Sequence, residues 1–174
     1  MKYTITILLL FATLLSAFDK DDLLLLKKEG DCVGCDLRDA NLSGIYLEGS
    51  DLSEADLRGA NLKNADLVYS NFYGANLKGA NLYQANAKGA DFSYANLTDA
   101  NCSSMVFKKT KLVGAKFIKT DLSHARMWHL DLRKSSIKKC NFSEAMIGSS
   151  EVDMKKLKSS NLAGVIFWKD SGTK

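Results

Sequence analysis

Large hydrophobic residues recur at every fifth position over most of the chain, which is the period of neither a helix nor a strand. The series begins with Leu37, Leu42, Leu47, Leu52, Leu57, Leu62 and Leu67 and continues without an insertion to Phe167. Two residues before each large residue lies a small one, most often alanine, and Asn or Asp usually separates the two. Alternate residues of an extended segment point to the same side. The pattern therefore predicts very short strands whose small and large residues share one interior.

The two remaining residues of each five-residue unit are mostly polar, and they predict a corner. Glycine occupies the second of them at positions 44, 49, 59, 74, 79, 89, 114 and 164, as suits a turn residue with positive φ. If every corner turns the chain by about 90°, four units close a square coil, and neighbouring coils stack about 4.8 Å apart. The chain contains no proline, so every amide is free to join the ladder between coils.

The repeated motif resembles that of a known family. The segments Ala55-Asp56-Leu57-Arg58-Gly59 and Ala75-Asn76-Leu77-Lys78-Gly79 resemble the A[DN]LxG repeats of pentapeptide-repeat proteins, and the resemblance covers residues 35–167. It implies an all-β fold, a right-handed quadrilateral β-helix. Stacked repeats of this kind need protected ends.

The sequence predicts four segments: a signal peptide at 1–17, an N-terminal cap at 18–34, a β-solenoid at 35–169 and a tail at 170–174. Lys2, the apolar run that follows it and the small residues Ser16 and Ala17 are typical of a signal peptide. Leu15 stands where a small residue is preferred, so an uncleaved anchor remains the alternative. We expect a secreted or periplasmic protein with no membrane span in its mature form.

The N-terminal cap is expected to be a short helix. Asp21 and Asp22 suit its start, Lys27 and Lys28 suit its last turn, and Gly30 is expected to end it. The four leucines at positions 23–26 would cover the first coil.

Cys32 and Cys35 lie where the cap meets the first coil, and they have three interpretations. They can form a disulfide that braces the junction, a redox-active dithiol, or half of a zinc site. The export signal favours the disulfide, and exported members of the family that the chain resembles carry such bridges. Cys102 and Cys140 fall on interior positions two coils apart, too far for a disulfide, and are expected to be buried free thiols.

Charge is distributed unevenly, although the net charge is only +4. Residues 30–105 carry ten acidic and five basic side chains, whereas residues 106–174 carry six acidic and fifteen basic ones. Stacking at intervals of twenty residues places six lysines on one face of the last coils: Lys116, Lys119, Lys138, Lys139, Lys156 and Lys158. This face either keeps the stack soluble or contacts an anionic envelope partner.

A second face of the last coils is apolar on its outside. It presents Trp128, Met146, Ile166 and Trp168, with Arg126 among them, and a contiguous patch of this kind predicts a contact with a protein. A third column, formed by asparagines at 41, 61, 81, 101, 141 and 161 and interrupted by Asp121, is expected to be a structural ladder of amides.

Three residues depart from the repeat. Ala87 is small at a large position and Met105 is large at a small one, so the two volumes are expected to compensate. Lys155 falls on a small interior position, so either its side chain leaves through the end of the stack or the coil deforms between Glu151 and Lys156. After Phe167 the sequence offers no capping helix, and exposed strand edges invite pairing. We therefore expect a homodimer formed through the C-terminal end, as in some members of the family that the chain resembles.

No catalytic pattern is evident. The two histidines, His124 and His129, fall on corners and are expected to be exposed, and no phosphate-binding loop or metal motif is present. We therefore expect no catalytic residue, no metal and no cofactor, and the leading hypothesis is a non-catalytic exported scaffold that self-associates and binds a partner. The alternatives are an inhibitor of gyrase or another DNA-binding protein that mimics DNA, which the family resemblance implies, and a thiol redox protein acting through Cys32 and Cys35. Binding to nucleic acid itself is not expected.

Overall fold

The computed structural model describes residues 19–168, so the predicted signal peptide at 1–17 and tail at 170–174 lie outside the described residues. One short helix precedes a β-solenoid in which parallel bridges join each strand position to the residue twenty places later, from Asp36↔Asp56 to Asn141↔Asn161. The predicted register of one coil per four repeats is confirmed. Within the described part of the chain, no helix has the length and hydropathy needed to cross a membrane.

The helix α1 spans Lys20–Glu29. Six three-residue strands follow in the C-terminal half: Val106–Lys108 (β1), Lys116–Ile118 (β2), Arg126–Trp128 (β3), Ser136–Lys138 (β4), Met146–Gly148 (β5) and Ile166–Trp168 (β6). One parallel sheet has the order β1-β3-β5-β6, and a second pairs β2 with β4. In the N-terminal half each repeat contributes a single bridged residue instead of a strand.

Four backbone hydrogen bonds hold each repeat, one of them from the corner amide of Gly59 to the carbonyl of Lys78 in the next coil (3.0 Å). The amide of Leu57 donates to the carbonyl of Asn76 in the next coil (2.8 Å), and the amide of Asn76 donates back to Ala55 (2.9 Å). Within the repeat, the amide of Ala60 closes the corner on the carbonyl of Leu57 (3.0 Å). Because the pattern recurs in coil after coil, the ladder satisfies the backbone groups that burial would otherwise leave unpaired.

The side chain between the small and the large residue explains why the repeat accepts either Asp or Asn there. The Asp51 carboxylate accepts the amide of Ser53 (2.9 Å), and the Asn101 amide oxygen accepts the amide of Ser103 (3.0 Å). Asp and Asn therefore stabilise the corner in the same way, because each has an Oδ1 atom that accepts the amide two residues later. Asparagines also join along the stack, as in Asn61 to Asn41 (3.2 Å), which confirms the predicted structural ladder.

The interior is filled by the large and small rows, as predicted. Leucines, alanines and five phenylalanines, Phe72, Phe92, Phe107, Phe117 and Phe142, are buried in it, and the rings of Phe72 and Phe92 stack with centroids 4.8 Å apart. Ala87 and Met105 are both buried. Where threonine replaces alanine, its hydroxyl donates to a carbonyl in the preceding coil, as Thr120 does to Leu97 (2.7 Å) and Thr110 to Ala87 (2.8 Å).

The corners adopt positive φ, as the glycine positions predicted, and fifteen residues other than glycine also adopt it within residues 19–168. They include Asn64 and Asp99 but also Tyr69, Tyr94 and His129, and none of the fifteen is β-branched. A side chain branched at Cβ would clash most severely in this conformation. The second corner position therefore disfavours Val, Ile and Thr while leaving room for varied surface chemistry.

Helix α1 covers the first coil through hydrogen bonds as well as packing. The Asp22 carboxylate accepts the amide of Asp36 (2.7 Å), and the Asp31 carboxylate accepts the amide of Asp51 (2.7 Å). In later coils the corresponding amides bond to a carbonyl twenty-one residues earlier, as in Asp56 to Cys35. Two carboxylates therefore replace the missing preceding coil.

The boundaries of α1 agree with the predicted cap, but the part assigned to its leucines was largely wrong. Asp19 caps the helix by accepting the amide of Asp21 (2.8 Å), and Gly30 ends it with φ of 81°. Of the four leucines, only Leu26 is buried, while Leu23 packs partly against the core and Leu24 and Leu25 are exposed. A helix presents only about one residue in four to a flat end of the stack.

The coil deforms near Lys155, as one of the two predicted outcomes stated. A 3-10 helix, Lys156–Ser159, replaces the strand there, and Lys155 is exposed. The core position is kept, because Leu157 remains buried. The deformation extends beyond Lys156 to Ser159, so it is longer than the sequence predicted.

Candidate binding surfaces

The six predicted lysines lie on one side of the solenoid, which we call the lysine face (Lys116, Lys119, Lys138, Lys139, Lys156 and Lys158). Strand β2 supplies Lys116, β4 supplies Lys138 and the 3-10 helix supplies Lys156 and Lys158. Lys119 and Lys139 occupy corners with positive φ, one above the other. All six are exposed except Lys156, which is half-buried.

Lys156 differs from the other five in what it contacts. Its ammonium group donates to the backbone carbonyls of Ser135 (2.8 Å) and Arg133, which belong to the preceding coil. The hydrogen bonds give this lysine a structural role that the sequence did not reveal, because the partner atoms are backbone groups.

A groove of about 320 Å³ opens at the edge of the lysine face. Its lining includes Lys116, Lys138 and Lys156 together with Lys134 and the hydroxyl-bearing Ser136. Sequence reasoning missed Lys134 because it belongs to the neighbouring face and reaches the groove only across the corner. The sequence did offer one sign of this site: Lys134 directly precedes Ser135 and Ser136, at the corner that leads into the lysine face.

The predicted apolar face, which we call the tryptophan face (Trp128, Met146, Ile166 and Trp168), is formed by β3, β5 and β6. Arg126, Met146 and Ile166 are stacked in register, as are Trp128, Gly148 and Trp168. Met146, Ile166 and Trp168 are exposed, whereas Trp128 is half-buried.

Gly148 brings the two tryptophans together. A β-carbon built on Gly148 would lie 2.5 Å from Cδ1 of Trp128 and 3.1 Å from Cε3 of Trp168. Both indoles therefore cover the backbone of the intervening coil, where any larger residue would separate them. The patch is continuous along the last coils and not a scatter of single side chains.

The C-terminal end of the described stack exposes a residue from the core row. Phe167 is 50% exposed, whereas Phe107, Met127 and Ile147 in the same row are 0%, 1% and 3% exposed. Beside it lies a groove of about 530 Å³, lined on its apolar side by Ile147, Val152, Met154, Phe167 and Trp168. No described residue covers this end as α1 covers the other.

The cysteines behave in two ways. Cys32 and Cys35 form a disulfide, with Cα atoms 5.4 Å apart, and both residues are buried at the junction of α1 and the first coil. Cys102 and Cys140 are buried free thiols, as predicted. Burial, with a smaller contribution from the Asp121 carboxylate, raises the pKa of the Cys102 thiol above its usual range. Such a thiol is a poor nucleophile.

Pairs of ionisable side chains on the surface involve corner residues. Both histidines are exposed, and Nδ1 of His124 lies 3.4 Å from the Glu144 carboxylate. The hydrogen bonds and charge of Arg133 lower the pKa of Asp131 to about 2. In residues 19–168 no three metal-binding side chains cluster.

Comparison with known proteins gives one strong result. The family model for pentapeptide repeats matches eight copies of the repeat, over residues 31–68, 70–104, 88–123 and 110–146. The search of curated proteins returned no match.

Several solved structures are similar in sequence over most of their length. HetL, a pentapeptide-repeat protein involved in the regulation of heterocyst differentiation in Nostoc sp. strain PCC 7120, is 28% identical over 74% of this chain and 70% of its own, with a TM-score of 0.40. A pentapeptide-repeat protein of the Arabidopsis thaliana thylakoid lumen is 28% identical over 67% of this chain and 68% of its own, with a TM-score of 0.31. QnrB1, a plasmid-mediated fluoroquinolone resistance protein, is 24% identical over 73% of this chain and 77% of its own, with a TM-score of 0.33.

The family model covers more than half of the sequence, and its repeats coincide with the bridged coils of the solenoid. The chain belongs to the pentapeptide-repeat family.

Proposed function

We propose that this protein is a non-catalytic, exported scaffold that associates with a second copy through its C-terminal end and binds a partner on its lysine and tryptophan faces. The observation that carries the proposal is the exposure of Phe167, a core-row residue that is half exposed where its counterparts are at most 3% exposed. Exposed core surface of this kind favours association.

A second copy is the occupant that fits this end best. The end combines an apolar groove with the outer edge of β6, whose ladder has no later coil among the described residues. Two identical ends can cover each other around a two-fold axis, and such an isologous contact closes on itself without forming fibres. The tryptophan face adjoins this end through Ile166 and Trp168 and enlarges the apolar area available for contact.

The two alternatives have less support from the molecule. A thiol oxidoreductase needs an accessible, reactive thiol, whereas Cys32 and Cys35 are 1% and 6% exposed and brace the cap. Mimicry of DNA needs an acidic surface along the whole solenoid, whereas residues 106–174 carry six acidic and fifteen basic side chains.

Sedimentation velocity over a range of protein concentrations tests the self-association. We expect the wild-type protein to form a dimer and Phe167→Asp to remain monomeric, because the added carboxylate would be buried unpaired in the contact. Leu24→Asp is the matched control, since Leu24 is an exposed leucine on α1 at the opposite end, and it should still form the dimer. A wild-type monomer at all concentrations, or equal effects of the two variants, would contradict the proposal.

A further inference from the structure

The lysine face changes its charge along a single column of residues. The position that precedes the large core residue is occupied in turn by Asp36, Asp56, Asn76, Asn96, Lys116, Ser136 and Lys156. The column is therefore acidic near α1, neutral in the middle and basic in the last three coils. Over those three coils the outward positions of this face contain six lysines and no Asp or Glu.

Basic residues on the adjacent face form ion pairs with carboxylates, unlike most of those around the groove. On the adjacent face, Nζ of Lys111 lies 3.2 Å from the Asp91 carboxylate, and Nε of Arg133 lies 3.0 Å from Asp131. Among the described residues, Lys116 and Lys138 form no ion pair with a carboxylate, and Lys134 is only within coulombic reach of Asp131, which is already paired with Arg133. Their mutual repulsion is unfavourable in the free protein, and an anion placed among them would relieve it.

The groove of about 320 Å³ provides a place for such an anion. Lys116 and Ser136 are paired in register on adjacent strands, Lys138 stands on the same strand as Ser136, and Lys134 closes the groove from across the corner. Ammonium and hydroxyl groups are donors to an oxyanion. Lys156 is held by two backbone carbonyls, so it adds charge beside the groove while its hydrogen bonds remain within the protein.

The remaining lysines extend this positive charge along the stack. Lys138 and Lys158 occupy equivalent positions in successive coils, as do Lys119 and Lys139, and successive coils are about 4.8 Å apart. The result is a short row of charges along the solenoid axis, two lysines deep at each position and ending at the 3-10 helix, which suits a linear polyanion better than a single small ion. The outward positions of this face carry no aromatic residue, although aromatic stacking is what single-stranded nucleic acid normally requires.

We propose that the groove and the row of lysines bind a linear polyanion with repeated phosphate groups, with one phosphate seated among Lys116, Lys134, Lys138 and Ser136. This assignment deepens the proposed partner-binding function and rests on it. Self-association at Phe167 is a separate contact on another part of the molecule.

The test is a titration with inorganic polyphosphate, followed by calorimetry or fluorescence, at several salt concentrations. The variant Lys116→Gln, Lys134→Gln, Lys138→Gln removes the charges of the groove and spares Lys156. An exposed charge contact contributes about 1.4- to 5-fold in affinity, so we expect the triple variant to weaken binding by about tenfold or more. It should also reduce the steepness with which affinity falls as salt is raised.

The matched control is Lys63→Gln, Lys78→Gln, Lys88→Gln, which removes three exposed lysines from earlier coils and changes the net charge equally. It should bind polyphosphate nearly as well as the wild type does. Equal weakening by the two triple variants would show that net charge alone is responsible and would overturn the proposal. Binding to vesicles of anionic phospholipid or to single-stranded DNA, with none to polyphosphate, would overturn it as well.

Sedimentation of the same variants separates this inference from the function on which it rests. We expect the groove variant to keep the wild-type oligomeric state while losing affinity for polyphosphate. If polyphosphate fails to bind while the dimer persists, the phosphate assignment is wrong and the self-associating scaffold stands.

Discussion

Corner glycines have two different roles, and a comparison of Gly79 with Gly89 distinguishes them. Their φ values are 70° and 71°, so the backbone demand is the same. A β-carbon on Gly79 would meet nothing within 4 Å, whereas one on Gly89 would lie 2.5 Å from the Tyr69 ring. The first glycine relieves backbone strain, and the second also makes room for an aromatic side chain in the preceding coil.

We predict that Gly79→Ala lowers the free energy of unfolding by about 1 kcal/mol, the cost of a left-handed residue with a β-carbon. Gly89→Ala should cost about 0.5–1.5 kcal/mol more, because the exposed Tyr69 ring must leave its preferred rotamer to make room. Chemical denaturation measures both. In a Tyr69→Ala background the two substitutions should cost the same, and a difference that persists there would show that the ring is not its cause.

The burial of most core residues could be predicted, because the period of the repeat determines which positions face inward. Leu57, Ala60 and Phe72 are buried as their register required. The structural role of Lys156 could not be predicted, since its partners are the backbone carbonyls of Arg133 and Ser135 in a corner of the preceding coil. The amino-acid sequence does not show which backbone carbonyl oxygens accept a hydrogen bond from a lysine.

At the scale of elements, the two ends of the solenoid differ in what covers them. Helix α1 ends the stack at one side with packing from Leu26 and hydrogen bonds from Asp22 and Asp31. The other end shows Phe167 and the edge of β6. The sequence indicated a helix at the N-terminal end, but it did not indicate that the carboxylates of Asp22 and Asp31 would take the place of backbone carbonyls. Asp22 near the helix start has an ordinary explanation in the helix dipole, and Asp31 follows the helix at the position where the repeat usually carries Asp or Asn.

The carboxylate contact gives a prediction for α1. Asp22→Ala should lower the free energy of unfolding by about 1–3 kcal/mol, because it leaves the amide of Asp36 without its charged acceptor. Asp21→Ala is the control: Asp21 is also in the first turn of the helix, is exposed, and its carboxylate forms no hydrogen bond with the described residues of the first coil. Thermal unfolding of the two variants should rank them clearly, and equal losses would mean that the helix dipole accounts for both aspartates.

For the whole molecule, the excess of basic residues and the end that no described residue covers lie in the same half. The basic excess begins after residue 105, and the tryptophan face, the lysine face and Phe167 all belong to the last coils. The period of five predicted the coil and hence which residues share a face. It could not predict the groove beside Lys134, because that groove depends on how two neighbouring faces meet at a corner.

Self-association through the C-terminal end is the central claim, and hydrogen–deuterium exchange measured at low and high protein concentration locates it most directly. We predict that raising the concentration slows exchange of the amides in β6 and at Leu162, while the amides of the first coil and of β2 and β4 exchange at unchanged rates. Exchange that does not depend on concentration, or protection that appears on the lysine face instead, would contradict the claim.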